Sequence, residues 1–246
     1  MGKQTEAFTS ETSNYDSLYA GKAPVEGLGM KFDMAPWDIG EPQPAVIALE
    51  KSGAFTGSVL DAGCGRGENS LYLAGRGHRV TGFDISPTAI ADAKERARAR
   101  RLDASFTVAD AIRIDGLDGK FTTVLDYGLY HCLTDEQRRQ YSRALHRICE
   151  QGTELHLFSF ADIAPPGLPP AWLRVSPDNL HANLGSHWRV LSIEGANSTS
   201  KFTHEFFEQQ RSNAPTGQLA FDPEAYEVDD QGRILLPIWH VHAERI

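Results

Sequence analysis

Short apolar runs alternate with amphipathic stretches along most of the chain. Residues 59–60, 79–83, 104–109, 121–125 and 153–160 are rich in β-branched and aromatic side chains and are bounded by turn-formers, so each predicts a buried strand. Helical patterns separate them. One covers 69–75, with Gly77 as its break. A second opens at Ser86-Pro87 and runs to Arg101, turning Ile90, Ala93, Ala97 and the flanking Leu102 inward. Thr134 and Gln137 form a capping-box pattern ahead of a third. Its apolar set, Tyr141, Ala144, Leu145, Ile148 and Cys149, repeats at i, i+3, i+4, i+7 and i+8. Strand and helix alternating through residue 160 predict an α/β fold with a doubly wound, mainly parallel sheet. Residues 188–193 and 234–243 read as two further strands, seven in all.

The ends are less regular. Residues 1–13 are polar and read as loosely attached or disordered. Residues 14–20 suggest a short helix carrying Tyr15, Leu18 and Tyr19. The Gly/Pro-rich passage 21–44 holds Met30, Phe32, Met34 and Trp37. Such a stretch either packs on the domain surface or closes over a site. Its length favours a lid. Pro44 starts a helix over 45–52, with Gly53 as its stop. Residues 164–172 form a rigid loop, 177–184 a short helix. The stretch 201–233, with Phe202, His204, Phe206, Phe207 and Phe221, is expected to help close a substrate pocket. The 246 residues therefore read as one domain: tail and lid (1–44), central core (45–160), and substrate-side loops with the last strands (161–246).

Charge and cysteine usage narrow the function. A formal charge of −9 argues against a broad phosphate-binding face, and the basic helix face of Lys94, Arg96, Arg98, Arg100 and Arg101 reads as solvated. Three cysteines, Cys64, Cys132 and Cys149, are too few for a disulfide framework and fit a reducing cytoplasm. No apolar run approaches the ~20 residues that span a bilayer. Neither nucleic acid nor membrane is expected as a partner.

Chemistry concentrates at Asp61-Ala62-Gly63-Cys64-Gly65-Arg66-Gly67-Glu68. A strand ends there in a glycine turn that opens a helix, whose free N–H groups face the same space. The dinucleotide fingerprint Gly-x-Gly-x-x-Gly fails, because its last position falls on Glu68, and the Gly-Lys-Ser/Thr of a P-loop is absent. Asp61, Asp84 and Asp110 end three successive strands, which places three acids where open α/β sheets bind ligands. Asp84 suits the two hydroxyls of a ribose. The Asp-x-Gly-x-Gly-x-Gly turn resembles the first motif of the class I S-adenosylmethionine-dependent methyltransferases. That resemblance covers residues 36–160 well and the remainder in outline. It implies a Rossmann-like sheet with an antiparallel edge strand and S-adenosylmethionine as cofactor. Asp61, Gly63, Cys64 and Gly65 would hold the methionine part, Asp84 and Ile85 the ribose, and Asp110 and Ala111 the adenine. Asp126 and Tyr127 would complete the site after the fourth strand.

The Trp-Asp segment before the first strand resembles thiopurine-methyltransferase-like enzymes, and the whole chain is similar to bacterial heterocyclic-toxin methyltransferases. This implies that Trp37 packs against the cofactor. Asp38 and Gln43 would bond cofactor or substrate, with capping of the local turn as the alternative for Asp38. The Asn/Asp-Pro-Pro-Tyr motif of adenine and glutamine methyltransferases is missing, which argues against base methylation. Tyr15, Tyr19, Phe32, Tyr130, Phe160 and Trp172 favour a flat aromatic acceptor, through stacking. His131 is the first candidate base or substrate contact, followed by His204 and Asp38. The other histidines carry no functional assignment. Asp126 and Asp162 lack a third metal ligand, so no metal is expected. The expected reaction is methylation of a phenol or hydroxyquinolone oxygen. Methylation of a thiol or thiopurine, a NAD-dependent oxidoreductase, and a non-catalytic S-adenosylmethionine-binding regulator are the alternatives. A monomer or a homodimer fits equally.

Overall fold

A computed structural model describes residues 14–21, 35–213 and 221–246. Phe32, Met30, Met34 and the 1–13 tail lie outside them. The described elements are α1 (Tyr15–Tyr19), α2 (Pro44–Lys51), β1 (Ser58–Ala62), α3 (Glu68–Gly75), β2 (Arg79–Asp84), α4 (Pro87–Arg100) and β3 (Ala104–Val108). They continue with β4 (Phe121–Tyr127), α5 (Asp135–Ile148), β5 (Cys149–Phe160), α6 (Pro177–Leu184), β6 (Trp188–Thr203), α7 (His204–Asn213) and β7 (Arg233–Arg245).

The strands form one sheet in the order β3-β2-β1-β4-β5-β7-β6. The first five are parallel; β7 runs antiparallel between β5 and β6. Strand order reverses beside β1, which pairs with both β2 and β4. Such a switch point opens a crevice at the strands' carboxyl ends.

Successive residues of each inner strand enter opposite cores, as the two-residue repeat of a strand demands. Leu60, Val124 and Leu157 join Tyr141, Leu145 and Ile148 of α5 and Leu180 of α6. Their neighbours Val59, Leu125 and Phe158 join Val46 of α2 and Leu73 of α3. The Thr134 capping box forms as the spacing predicts. β5 and β6 exceed their predicted lengths most. β6 continues to Thr203 and β5 begins at Cys149, because β7 pairs with β6 as far as Thr203 and β4 with β5 from Cys149, each across an irregularity in register. Part of 201–233 is helical, as α7. No helix among the described residues is long and apolar enough to cross a membrane.

Candidate active site

A cavity of about 370 Å³ opens at the carboxyl ends of the parallel strands. Its floor is the glycine turn. Gly63 and Gly65 have φ of +70° and +52°, which favour glycine. A Cβ on Gly63 would stand 2.8 Å from Leu129 Cβ, and one on Gly65 2.7 Å from the Tyr19 hydroxyl. Backbone conformation and the close approach of Leu129 and Tyr19 therefore both require glycine at these two positions.

Acids surround this floor. Asp84 accepts from the Gly65 N–H and the Ser86 N–H, both at 2.9 Å, one on each carboxylate oxygen. This ties the glycine turn to the end of β2 and leaves each oxygen a second lone pair. Asp61 accepts the Ser70 hydroxyl at 2.6 Å, and burial pushes its carboxyl up to about 6. Asp110 is exposed and accepts the Ile112 N–H at 3.1 Å; Ala111 beside it is buried. Cys64, Ile85, Asp110, Ala111 and Tyr127 all line the cavity.

Helix α1 and residues 35–43 form the roof. Asp16 accepts from Ser86 Oγ (2.5 Å) and from the Thr88 N–H (3.0 Å), at the N-terminus of α4 where an anion is favoured. The Trp37 indole donates to the Tyr19 hydroxyl at 3.1 Å. Arg66 donates to the Tyr19 carbonyl and pairs with Asp38 at 3.1 Å. Gln43 donates to the Thr199 carbonyl, accepts the Thr199 N–H, and also accepts the Tyr127 hydroxyl. Gln43 thus mimics a strand neighbour of β6 and pins the stretch just before α2 to the sheet. Its amide and the Asp38 carboxylate hold the roof together.

The part of the cavity around His131 is aromatic. The His131 ring stacks on Phe160 with centroids 4.2 Å apart, and Tyr127 packs on Phe158 at 4.8 Å. The Phe160 N–H donates to His131 Nδ1 at 3.3 Å. Burial, helped by the Arg138 guanidinium, pushes the imidazole down to about 3, so the ring is neutral and its proton sits on Nε2. Tyr15, Tyr19, Trp37 and Asp38 share this cavity with His131 and Phe160.

Four expected contacts fall elsewhere. Asp126 lies beneath the cavity, fully buried; it accepts the Leu129 and Tyr130 N–H groups and the Tyr141 hydroxyl, and so shapes the 128–132 turn. Tyr130 points into the core below Arg138, whose guanidinium sits 5.0 Å from the ring centroid. Trp172 does not line the cavity, whereas Leu173 does. His204 faces Glu224 at 3.3 Å, outside the cavity. Phe158, Ser198 and Ile238 line it without having been anticipated. Phe158 alone carried a signal, since it shares a strand face with Phe160 two residues on.

A glycine cradle, strand-end acids and an aromatic chamber together define a nucleoside-dependent group-transfer site on a Rossmann-like sheet. A family model described as a methyltransferase domain matches residues 59–152. The chain is 38% identical over 183 residues to the 2-heptyl-1-hydroxyquinolin-4(1H)-one methyltransferase of Mycobacteroides abscessus, covering 74% of this chain and 79% of that one. It is 27% identical over 144 residues to the probable thiol methyltransferase 2 of Arabidopsis thaliana, covering 57% and 63%. Among solved structures, a protein of echinomycin biosynthesis, described by conversion of a disulfide bond into a thioacetal group, superposes with a TM-score of 0.74. It shares 34% identity, and the match covers 94% of this chain and 90% of that one. The chain belongs to the S-adenosylmethionine-dependent methyltransferases.

Proposed function

We propose that this methyltransferase acts on a small, flat heterocyclic or aromatic acceptor, at a hydroxyl acidic enough to arrive as its anion. One observation carries the reading: among the described residues, no side chain lining the acceptor end is free to act as a base. Asp38 is held by Arg66, Glu41 by Arg233, and His131 already spends its Nδ1 lone pair on the Phe160 N–H. What His131 offers is an Nε2–H donor, which suits an oxyanion.

The cofactor supplies an electrophilic methyl group on a sulfonium. The residues of the chain then have to align and to exclude water. Asp84 would accept the ribose hydroxyls, and Asp110 with the backbone N–H of Ala111 would read the adenine. Gly63, Gly65 and Asp61 receive the amino-acid end. Tyr15, Tyr19 and Trp37 cover the reacting atoms. His131 Nε2–H orients the acceptor oxygen, while Phe160, Phe158 and Tyr127 provide faces for its ring. The similarity to a hydroxyquinolone methyltransferase supports an oxygen acceptor of that type. The similarity to the thioacetal-forming protein favours a second reading, a thiolate acceptor, which needs a base no more than an acidic hydroxyl does. We place the protein in the cytoplasm, as a single-domain monomer or homodimer that acts on small molecules rather than nucleic acid.

The test is release of S-adenosylhomocysteine with three acceptors: a 1-hydroxyquinolone, an unactivated phenol and an aromatic thiol. The hydroxyquinolone is expected to turn over with kcat/KM at least tenfold above the phenol. Equal rates on the phenol would require a base and refute the anionic-acceptor reading. A preference for the thiol would select the second one.

A further inference from the structure

A histidine cluster lies on β5 and β7, apart from the cavity. His156 stands directly opposite His242 in the antiparallel register, and Glu154 precedes His156 by two residues on the same strand face. The two imidazoles stack at 4.8 Å. His156 is 3% exposed. Nε2 of His156 and Nε2 of His242 are both buried, and neither makes a hydrogen bond. Both approach one carboxylate: His242 Nε2 lies 3.8 Å and His156 Nε2 4.0 Å from the Glu154 oxygens. All three ligand atoms fall within 4.8 Å of one another.

The histidine tautomers agree with this convergence. His156 Nδ1 and His240 Nε2 are 3.2 Å apart, so one ring donates to the other. If His240 donates, His156 carries its proton on Nε2, with the Ala54 backbone as the ring's polar neighbour and no regular hydrogen bond from Nε2. If His156 donates through Nδ1, its Nε2 lone pair is free and faces His242 and Glu154. This is the arrangement of a metal-bound histidine whose other nitrogen is oriented by an outer partner. Two imidazoles and a carboxylate suit zinc, whose ligands stand roughly 3.4 Å apart in a tetrahedron. A small rotation of the half-exposed Glu154 closes the observed gaps and gives the ion a path from solvent.

We propose that Glu154, His156 and His242 bind a divalent transition-metal ion of the zinc class, with His240 orienting His156. The ion bridges β5 and β7. The next same-face pairs along that ladder are Phe158 with His240 and Phe160 with Ile238, and Phe158, Phe160 and Ile238 line the cavity. The His240 ring stacks on Phe158 at 4.5 Å. The site therefore fixes the register of the acceptor wall and takes no part in methyl transfer.

Zinc titration of the tag-free, chelator-stripped full chain, followed by calorimetry and metal analysis, tests this. One ion per chain with a micromolar or tighter Kd is expected, along with a raised Tm. Glu154→Gln and His242→Gln should each weaken binding at least tenfold. Both sites are partly exposed, and the Tm and circular dichroism of the metal-free variants check folding. Cobalt should give the visible absorption of a four-coordinate nitrogen–oxygen site, lost in both variants. His187→Gln is the control, because His146 and His187 form another ring pair, 5.1 Å apart. The proposal fails if no stoichiometric ion binds at micromolar zinc, if both variants bind as the parent does, or if only His187→Gln loses the ion.

Discussion

Asp126→Asn is expected to stabilise the protein above neutral pH while leaving cofactor binding within about threefold. Full burial, against three hydrogen bonds that favour the anion, pushes the Asp126 carboxyl up to about 7. In the unfolded chain it ionises near 3.8. Ionisation is thus harder in the folded state, so Asp126's contribution is fully present below about pH 4 and is lost as pH rises through 7. Linkage over this interval gives a loss of about 2–3 kcal/mol between pH 5 and pH 8. Asparagine stays neutral and keeps the pattern: its oxygen can accept the Leu129 and Tyr130 N–H groups, and its NH2 can donate to Tyr141. At about 2–4 °C per kcal/mol for a chain of this size, the variant's Tm advantage should grow by roughly 5–10 °C from pH 5 to pH 8. Scanning calorimetry of both proteins across that range measures it. Asp61 and the buried histidines titrate in both proteins and largely cancel in the difference. A Tm difference that stays flat with pH, or a variant less stable at pH 8, would refute the reasoning. A cofactor Kd raised tenfold or more would return Asp126 to the binding surface.

Gly63→Ala brings a Cβ to 2.8 Å from Leu129 at a φ of +70°, and strain with overpacking should cost about 2–4 kcal/mol; thermal unfolding and calorimetric titration with S-adenosylmethionine should both register it. Asp84→Asn leaves one of the Gly65 and Ser86 N–H groups facing an amide donor, so cofactor affinity should fall by roughly 10- to 100-fold, and an unchanged Kd would remove Asp84 from the ribose site. His131→Gln should lower kcat about tenfold without introducing or abolishing a pH limb, since His131 is neutral down to about pH 3. A limb near pH 6–7 that disappears in the variant would make His131 a base after all. Gln43→Ala leaves the Thr199 N–H and carbonyl without their partner and should cost about 1–3 kcal/mol, read as lower Tm and a weaker grip on cofactor.

The glycine-turn half of the cavity was legible in the residues themselves. Its parts are local: an apolar run, an acid, a glycine turn and a capped helix each arise from a short window of sequence. Asp61, Gly63, Gly65, Asp84 and Asp110 sit around the cavity as the order of strand ends requires. The aromatic half was legible only in outline. After β4 the chain turns on Asp126, and the turn's geometry sends His131 to the cavity and Tyr130 to the core, although the two are adjacent in sequence. Trp172 and His204 look as suitable as Phe160 by residue type, yet loop packing carries them elsewhere. Gln43 meets Thr199 across 156 positions, and His156 meets His242 because β7 runs antiparallel in one particular register. Local sequence determined the elements and the chemistry at their ends, because φ, ψ and periodicity act over a few residues. Which side chains face one another across the acceptor chamber was decided by strand register and turn direction, set by the packing of the whole chain.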